Sequence, residues 1–256
     1  NVHVFGKKQL DNWTTQFMYW KNNVATNLTE TFNTPEQFLR TITGMDVVGD
    51  DVYFVGYTKN PLLAVEIYDL VYWKNGNKTV IDVATNPTFK SKIKVVNNNV
   101  YVIGNKSNCF NNCHGVFVNG LFQAVPVGVL LKDITVKDNQ VYVYGTNYTT
   151  SSVYYKNLTT GTESNITSIS TAFKLLFDND NLYISNGSDI YKNNTVIYSS
   201  SFFSFYIDFV VLNENKYILK SEGDFGTTDI LYINDVNTLQ IFISEGKFNT
   251  VSVVQN

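Results

Sequence analysis

The chain has few charged residues and almost no arginine. Only 16% of its 256 residues are charged, the formal net charge is −3, and Arg40 is the single arginine. Proteins that bind nucleic acid cluster lysine and arginine side chains against the phosphates. Because the sequence contains no such cluster, we expect no nucleic-acid partner.

Histidine and long apolar runs are also scarce. The two histidines do not suggest a Ser–His–Asp catalytic set, because His114 lies in the loop that holds the cysteines and His3 takes the place of a repeated tyrosine. No run of about 20 apolar residues predicts a membrane span, and no signal peptide is recognisable. We therefore expect no membrane-spanning segment.

A hairpin motif occurs six times in the sequence. Two clear copies are I-K-V-V-N-N-N-V-Y-V-I-G, from Ile93 to Gly104, and I-T-V-K-D-N-Q-V-Y-V-Y-G, from Ile134 to Gly145. Apolar and aromatic residues alternate around a turn of Asn, Asp or Gly, which predicts a β-hairpin. Tyrosine or histidine recurs at one position of the second strand in all six copies: His3, Tyr53, Tyr101, Tyr142, Tyr183 and Tyr217.

A second motif follows each hairpin. It reads V-Y-W-K-N at 71–75 and V-Y-Y-K-N at 153–157. In every copy an aromatic residue stands two places before an asparagine: Trp20, Trp73, Phe117, Tyr155, Tyr191 and Tyr232. We interpret this motif as a third strand that ends in an Asx-type turn, with the Asn side chain accepting a nearby backbone N–H.

The repeats predict an all-β, six-bladed β-propeller that occupies residues 1–256 as a single domain. The ends of successive hairpins are 34 to 50 residues apart, which suits four-stranded blades. The sixth hairpin is split between the termini, since 251–256 continues directly into 1–6. We therefore expect a C-terminal innermost strand, at about 249–254, to pair with the N-terminal strands and close the ring. Because residue 1 falls inside a repeat, the chain is interpreted as a mature product.

The V-Y-V-x-G and Y-W-K-N-G motifs resemble those of secreted propeller repeats, many of them from bacteria of the Bacteroidetes type. The WD signature and the double glycine of kelch blades are absent. The resemblance covers all six units and implies a secreted β-propeller. Its motifs consist of core and turn residues, so it is specific for architecture and weak for function.

The sequence contains nine Asn-x-Ser/Thr sequons, a modest excess over chance for an asparagine-rich chain. Their asparagines are Asn12, Asn27, Asn77, Asn105, Asn147, Asn157, Asn165, Asn186 and Asn193. Most fall in predicted loops, as sugar acceptors must. We predict a secreted or cell-surface glycoprotein, the alternative being an unmodified asparagine-rich protein.

The two cysteines, Cys109 and Cys113, share one predicted loop. In a secreted chain this spacing favours a local disulfide. The alternative is a metal site that includes His114, but three adjacent ligands without a fourth make a poor zinc cage. We predict neither a metal nor another cofactor.

Catalytic signals are weak. Sialidases of this fold class hold their substrate with three arginines, which a single arginine excludes. Channel carboxylates are the remaining candidates, namely Asp46, Asp133 and Asp208. The recurrent aromatics could stack on sugars, but packing between blades is the better interpretation. Aromatic residues outside the repeat register are predicted to contact a partner: Phe202, Phe203, Phe205 and Tyr206.

These observations lead to one functional prediction with two alternatives. The first is a non-enzymatic extracellular binding or assembly module, as a subunit of a glycosylated cell-surface structure. Its partner would be a protein or glycan at the cell surface, or a second copy of the chain. The alternatives are a lectin-like propeller and a carbohydrate-active enzyme that uses channel carboxylates.

Overall fold

The computed structural model describes residues 3–9, 15–22, 24–35, 37–59, 68–84, 91–107, 109, 113–199, 205–222 and 228–242. The chain divides into two compact units, 1–127 and 128–256. The structure is nearly all-β, with 71% strand and 3% helix. None of the helical structure described for this chain has the length and apolar character that crossing a bilayer requires.

The first unit contains three antiparallel sheets and a short helix. The first sheet consists of β1 (His3–Gln9), β2 (Thr15–Lys21) and β3 (Val24–Asn27), and is followed by α1 (Leu28–Phe32). The second sheet consists of β4 (Phe38–Val48), β5 (Asp51–Lys59), β6 (Tyr68–Lys74) and β7 (Asn77–Ala84). The third consists of β8 (Ile93–Val96), β9 (Asn99–Asn105), β10 (His114–Val118) and β11 (Leu121–Ala124).

The second unit contains three four-stranded antiparallel sheets. The fourth sheet consists of β12 (Val129–Lys137), β13 (Gln140–Asn147), β14 (Ser152–Asn157) and β15 (Glu163–Ile166). The fifth consists of β16 (Lys174–Asp178), β17 (Asn181–Ser185), β18 (Asp189–Lys192) and β19 (Thr195–Ser199). The sixth consists of β20 (Phe205–Leu212), β21 (Asn215–Glu222), β22 (Thr228–Ile233) and β23 (Val236–Phe242).

Six small antiparallel sheets follow one another along the chain, so the predicted six-bladed β-propeller is confirmed. In each sheet, strands adjacent in sequence pair with each other. The predicted closing strand, at about 249–254, lies outside the described residues. The single domain over 1–256 stays a prediction.

The recurrent tyrosines pack between neighbouring sheets where the structure buries them. Tyr53 is 6% exposed and Tyr183 is 2% exposed. The lysine of the second motif covers each ring: Lys74 Nζ lies 5.5 Å from the Tyr53 centroid, and Lys192 Nζ lies 5.7 Å from that of Tyr183. Both tyrosines therefore serve packing, as predicted, and the repeat pairs each of them with a lysine.

Asparagine fills the hairpin turns because the backbone there is left-handed. Asn97 and Asn98 have φ of 49° and 62°, and Asn193 and Asn194 have φ of 48° and 68°. Two consecutive positive φ values are typical of a type I′ turn, whose twist matches that of the flanking strands. Asparagine adopts this conformation more readily than most side chains do.

The asparagine of the second motif holds two strands together. Asn119 Oδ1 accepts the Val100 N–H at 2.9 Å, and its Nδ2 donates to Asn99 Oδ1 at 2.8 Å. Equivalent bonds join Asn75 to Val52 and Asp51, Asn193 to Leu182 and Asn181, and Asn234 to Lys216 and Asn215. In these four blades the predicted local Asx turn is wrong, because the side chain bonds to the neighbouring strand. We call this arrangement the asparagine clamp.

Replacing Asn119 tests the clamp. Asn119→Ala should lower the free energy of unfolding by about 2 kcal/mol, because it removes two hydrogen bonds and leaves alanine at a φ of 49°. Asn119→Gly relieves the backbone strain and should recover about half of that loss. Urea denaturation of the two variants measures the difference. Equal stability of Asn119→Ala and the parent chain would contradict the clamp.

Candidate ligand cavities and channel carboxylates

A short helix shapes the candidate site in the first unit. Asn27 caps α1, with its Oδ1 accepting the N–H groups of Thr29 and Glu30 at 3.1 Å and 3.3 Å. Leu28 and Phe32, four residues apart on the same helix face, are buried. The helix is thus fixed by its cap at one end and by the burial of one face.

Sequence reasoning did not predict this helix. The helix begins at Leu28, while Pro35 lies in a turn and Phe38 is the first residue of β4. The overlooked signal was Asn27 followed three residues later by Glu30, with apolar residues at Leu28 and Phe32. An N-cap residue and an acidic first turn are together typical of a helix start.

An aromatic stack forms the wall of the site. The rings of Phe32 and Trp73 are parallel, with an interplanar angle of 2° and centroids 4.5 Å apart. Phe54 contacts Phe32 edge-on, at a centroid distance of 5.9 Å. Phe32, Trp73 and Phe54 are all at least 94% buried, so the stack is a fixed surface.

Two cavities share this wall. The first, which we call the Lys78 cavity, has a volume of about 430 Å³ and is lined by Thr31, Phe32, Thr34, Gln37, Trp73, Gly76 and Lys78. The second, which we call the Tyr19 cavity, has a volume of about 340 Å³ and includes Tyr19, Lys21, Asp50 and Phe54 in its lining. Both volumes fall near the lower end of the range for small-ligand sites.

The two cavities differ in charge. Lys78 is the single charged side chain among the described residues that line its cavity. Its Nζ donates to Gln37 Oε1. Burial lowers the pKa of Lys78, and the negative field of Asp69 opposes that shift. The Tyr19 cavity instead combines Lys21 with Asp50.

The predicted channel carboxylate Asp46 has a structural role. It lies on β4 and is 8% exposed. Its oxygens accept the Lys94 ammonium at 2.8 Å and the Val95 N–H at 2.7 Å, both on β8. Asp46 therefore links the second and third sheets.

Asp133 and Asp208 occupy equivalent positions within the second unit. Each follows a β-bulge in the first strand of its sheet, and each accepts the N–H of the next residue, at 2.8 Å and 2.9 Å respectively. Asp208 also pairs with Lys174 of β16. Burial raises the pKa of Tyr144 well above its usual value, and the fields of Asp133 and Asp208 add to this effect. The structure thus brings these two aspartates into one electrostatic group.

The histidines and cysteines are placed separately. His3 Nδ1 lies 2.6 Å from the Tyr19 hydroxyl, and His114 Nδ1 lies 2.9 Å from Asn105 Oδ1. Cys113 Sγ donates to Cys109 O at 2.7 Å. The predicted Cys109–Cys113 disulfide stays a prediction. Over the residues that the structure describes, no group of three or more His, Cys, Asp or Glu side chains could hold a metal.

Most sequon asparagines use their side-chain amides within the fold. Asn157 is 6% exposed and its Nδ2 donates to Gln140 Oε1 at 2.6 Å, while Asn193 belongs to a clamp. Asn77, the first residue of β7, is exposed. Side-chain hydrogen bonds also engage Asn27, Asn105, Asn147, Asn165 and Asn186. Asn12 lies outside the described residues.

The predicted partner-contact aromatics are largely outside the description. Phe202 and Phe203 lie outside the described residues. Phe205 and Tyr206 form the beginning of β20, where the structure describes their backbone. Contact of these four residues with a partner stays a prediction.

The chain is similar to solved peptidase structures. No protein family model matches it, and neither does any curated protein. One match is a prolyl endopeptidase, one of two such enzymes in which inter-domain dynamics have a role in catalysis and specificity. Its TM-score is 0.55 and its sequence identity is 10%, and the match covers 88% of this chain and 39% of the endopeptidase chain. The acylaminoacyl peptidase of Pyrococcus horikoshii matches with a TM-score of 0.52 and 14% identity, over 90% of this chain and 41% of the peptidase chain. A puromycin-hydrolysing peptidase of Mycobacterium tuberculosis matches with a TM-score of 0.53 and 11% identity, over 90% of this chain and 43% of the peptidase chain.

These matches correct the functional prediction. The three solved structures named above are peptidases, which contradicts the predicted binding or assembly module of a cell-surface structure together with its lectin-like and carbohydrate-active alternatives. That the chain is not itself an enzyme and that it is extracellular stay predictions. The prediction failed because the repeat motifs consist of core and turn residues, which specify architecture and say little about function. At 10–14% identity the matches establish the fold, and this chain spans about two fifths of the length of those structures.

Proposed function

We propose that this chain is a peptidase-type propeller module, which receives a polypeptide that is hydrolysed by groups outside these 256 residues. The observation that supports this proposal is the match with peptidases over 88–90% of the chain. More than half of each matched structure has no counterpart in this chain. On this proposal the module contributes to substrate selection and supplies no nucleophile.

The contacts of the potential catalytic groups are consistent with hydrolysis by groups outside these 256 residues. A serine or cysteine peptidase needs a base within hydrogen-bond reach of its nucleophile. His3 Nδ1 lies 2.6 Å from the Tyr19 hydroxyl and His114 Nδ1 lies 2.9 Å from Asn105 Oδ1, so neither of these two contacts joins a histidine to a serine or cysteine. The carboxylates of Asp46 and Asp208 are paired with lysines.

Two measurements on the purified chain test the proposal. Fluorescence anisotropy with labelled, unstructured peptides should show saturable binding. Fluorogenic prolyl and N-acyl-aminoacyl substrates should not be hydrolysed, because the nucleophile lies elsewhere. A stable folded protein of similar charge serves as the control ligand and should not bind. Absence of binding to every peptide, or hydrolysis by the homogeneous chain, would refute the proposal.

Location, modification and partners stay predictions. An extracellular or cell-surface location is supported by the sequons and the resemblance to secreted propellers. If the chain is glycosylated, the exposed Asn77 is the favoured acceptor, since sugar on Asn157 would displace its bond to Gln140. The Cys109–Cys113 disulfide, self-association and a protein or glycan partner at the cell surface are likewise untested.

A further inference from the structure

We propose that the Lys78 cavity binds the C-terminal residue of a peptide, with Lys78 pairing with the terminal carboxylate and the Phe32–Trp73 wall contacting an apolar side chain. The peptide nature of the ligand rests on the proposed function. The preference for a carboxylate beside an apolar group rests on the cavity alone.

The charge of the cavity favours an anion. Lys78 contributes one positive charge, and the other described lining residues are neutral. Its Nζ bonds to the Gln37 amide, which carries no compensating charge. Burial disfavours the charged form of Lys78 and lowers its pKa, and the field of Asp69, which is not among the lining residues, opposes this shift only in part. A ligand carboxylate would restore the interaction that burial removes.

The walls and the volume narrow the class of ligand. Phe32 and Trp73 provide a stacked aromatic surface, while Thr31, Thr34 and Gln37 provide hydroxyl and amide groups. A cavity of about 430 Å³ is at the small end of ligand sites and suits one or two residues. A terminal residue presents a carboxylate, a peptide amide and a side chain together, which matches this lining. We expect aromatic or branched aliphatic side chains to be preferred.

The position of Lys78 leaves room for the rest of a peptide. Lys78 is the second residue of β7, which is the edge strand of its sheet. Thr79 and Val80, the next two residues of β7, are exposed. The residues that precede the peptide C-terminus can therefore extend out of the cavity, past the exposed Thr79 and Val80 of β7.

The test compares ligands that differ at the carboxylate. N-acetyl-phenylalanine and N-acetyl-phenylalaninamide are titrated by NMR into the parent chain, and labelled hexapeptides ending in phenylalanine acid or amide are titrated by anisotropy. The acids should bind about tenfold tighter than the amides, which corresponds to about 1.4 kcal/mol. Lys78→Met should abolish this preference, and Lys78→Arg should keep most of it.

Lys74→Met is the matched control, because it removes an exposed lysine of the same blade that pairs with Asp51 outside the Lys78 cavity. It should leave the preference for acids unchanged. Circular dichroism shows whether each variant folds. If Lys78→Met does not fold, the comparison of acid with amide in the parent chain still tests the cavity assignment, because equal binding would overturn it.

The outcomes separate the two proposals. Equal binding of acid and amide, or an undiminished preference in Lys78→Met, would overturn the cavity assignment. Peptides that still bind in that case would leave the peptidase-type role standing. Conversely, Lys78-dependent binding of N-acetyl-phenylalanine supports the cavity assignment, even if no longer peptide binds and the proposed function fails.

Discussion

Gly56→Ala is expected to lower the free energy of unfolding by about 3 kcal/mol or more. A Cβ at this buried position would lie 2.1 Å from Thr41 O and 3.0 Å from Ile42 Cα. Non-bonded heavy atoms at their optimal separation are about 3.5–4.0 Å apart. Because both obstacles are backbone atoms of β4, a side-chain movement cannot relieve the overlap.

The requirement for glycine follows from the strand opposite. Gly56 pairs with Ile42, between two register shifts in β4. Gly145 repeats the situation, since it pairs with Leu131 beside the register shift of β12 and its Cβ would lie 2.0 Å from Leu130 O. A β-bulge bends the first strand toward the second, so the Cα of the opposing residue has room for a hydrogen atom but not for a Cβ.

Gly104→Ala is the matched control, because Gly104 has the same place in the repeat. Its Cβ would meet the end of the Leu70 side chain at 2.7 Å, which can change rotamer. The paired register of β8 with β9 ends at Val102, so no paired residue of β8 opposes Gly104. We expect a loss of about 1 kcal/mol there. Urea denaturation that ranks Gly104→Ala equal to or worse than Gly56→Ala would contradict the bulge argument.

The repeat made most of the fold predictable from sequence. Alternating apolar and aromatic residues around Asn-rich turns identified the hairpins, and the fixed place of Tyr53 and Tyr183 predicted their packing. The register shifts were not predictable, because a bulge is defined by two residues that oppose one residue of the partner strand, and a single strand's sequence does not give that pairing. The clamp of Asn119 was misjudged because its partner, Val100, is distant in sequence but adjacent in the sheet.

The candidate site was harder to predict from the sequence than the fold was. The stack of Phe32 on Trp73 joins a residue of α1 to a residue of β6, and the repeat gives Trp73 the same role as every other motif aromatic. Lys78 is one of many lysines until the fold shows that it lines a cavity. Of the predicted carboxylates, Asp133 and Asp208 lie in equivalent settings, but their equivalence depends on bulges that the sequence did not reveal.

Asp178→Ala is expected to lower the free energy of unfolding by about 3 kcal/mol, because it removes two hydrogen bonds to a charged acceptor. Asp178 is 7% exposed at the end of β16. Its two oxygens accept the N–H groups of Asn213 and Glu214, each at 2.9 Å. Those residues form the turn between β20 and β21, so the carboxylate ties the fifth sheet to the sixth.

The turn that Asp178 holds is itself strained. Asn213 and Glu214 have φ of 49° and 65°, and a left-handed conformation costs an ordinary side chain about 1 kcal/mol. Glu214→Asn should therefore stabilise the chain by up to about 1 kcal/mol. The ion pair that it loses to Lys192 spans 3.5 Å at an exposed site and contributes little.

Asp180→Ala is the control for Asp178→Ala, since Asp180 lies in the same β16–β17 turn, is fully exposed and forms a surface pair with Lys137 at 3.1 Å. Its loss should change stability by less than about 0.5 kcal/mol. Asp178→Asn should remain close to Asp178→Ala, because an amide offers one acceptor where the two N–H groups need two. Thermal and urea unfolding in which Asp178→Ala matched Asp180→Ala would show that the sixth sheet is held by its own strands, without the carboxylate.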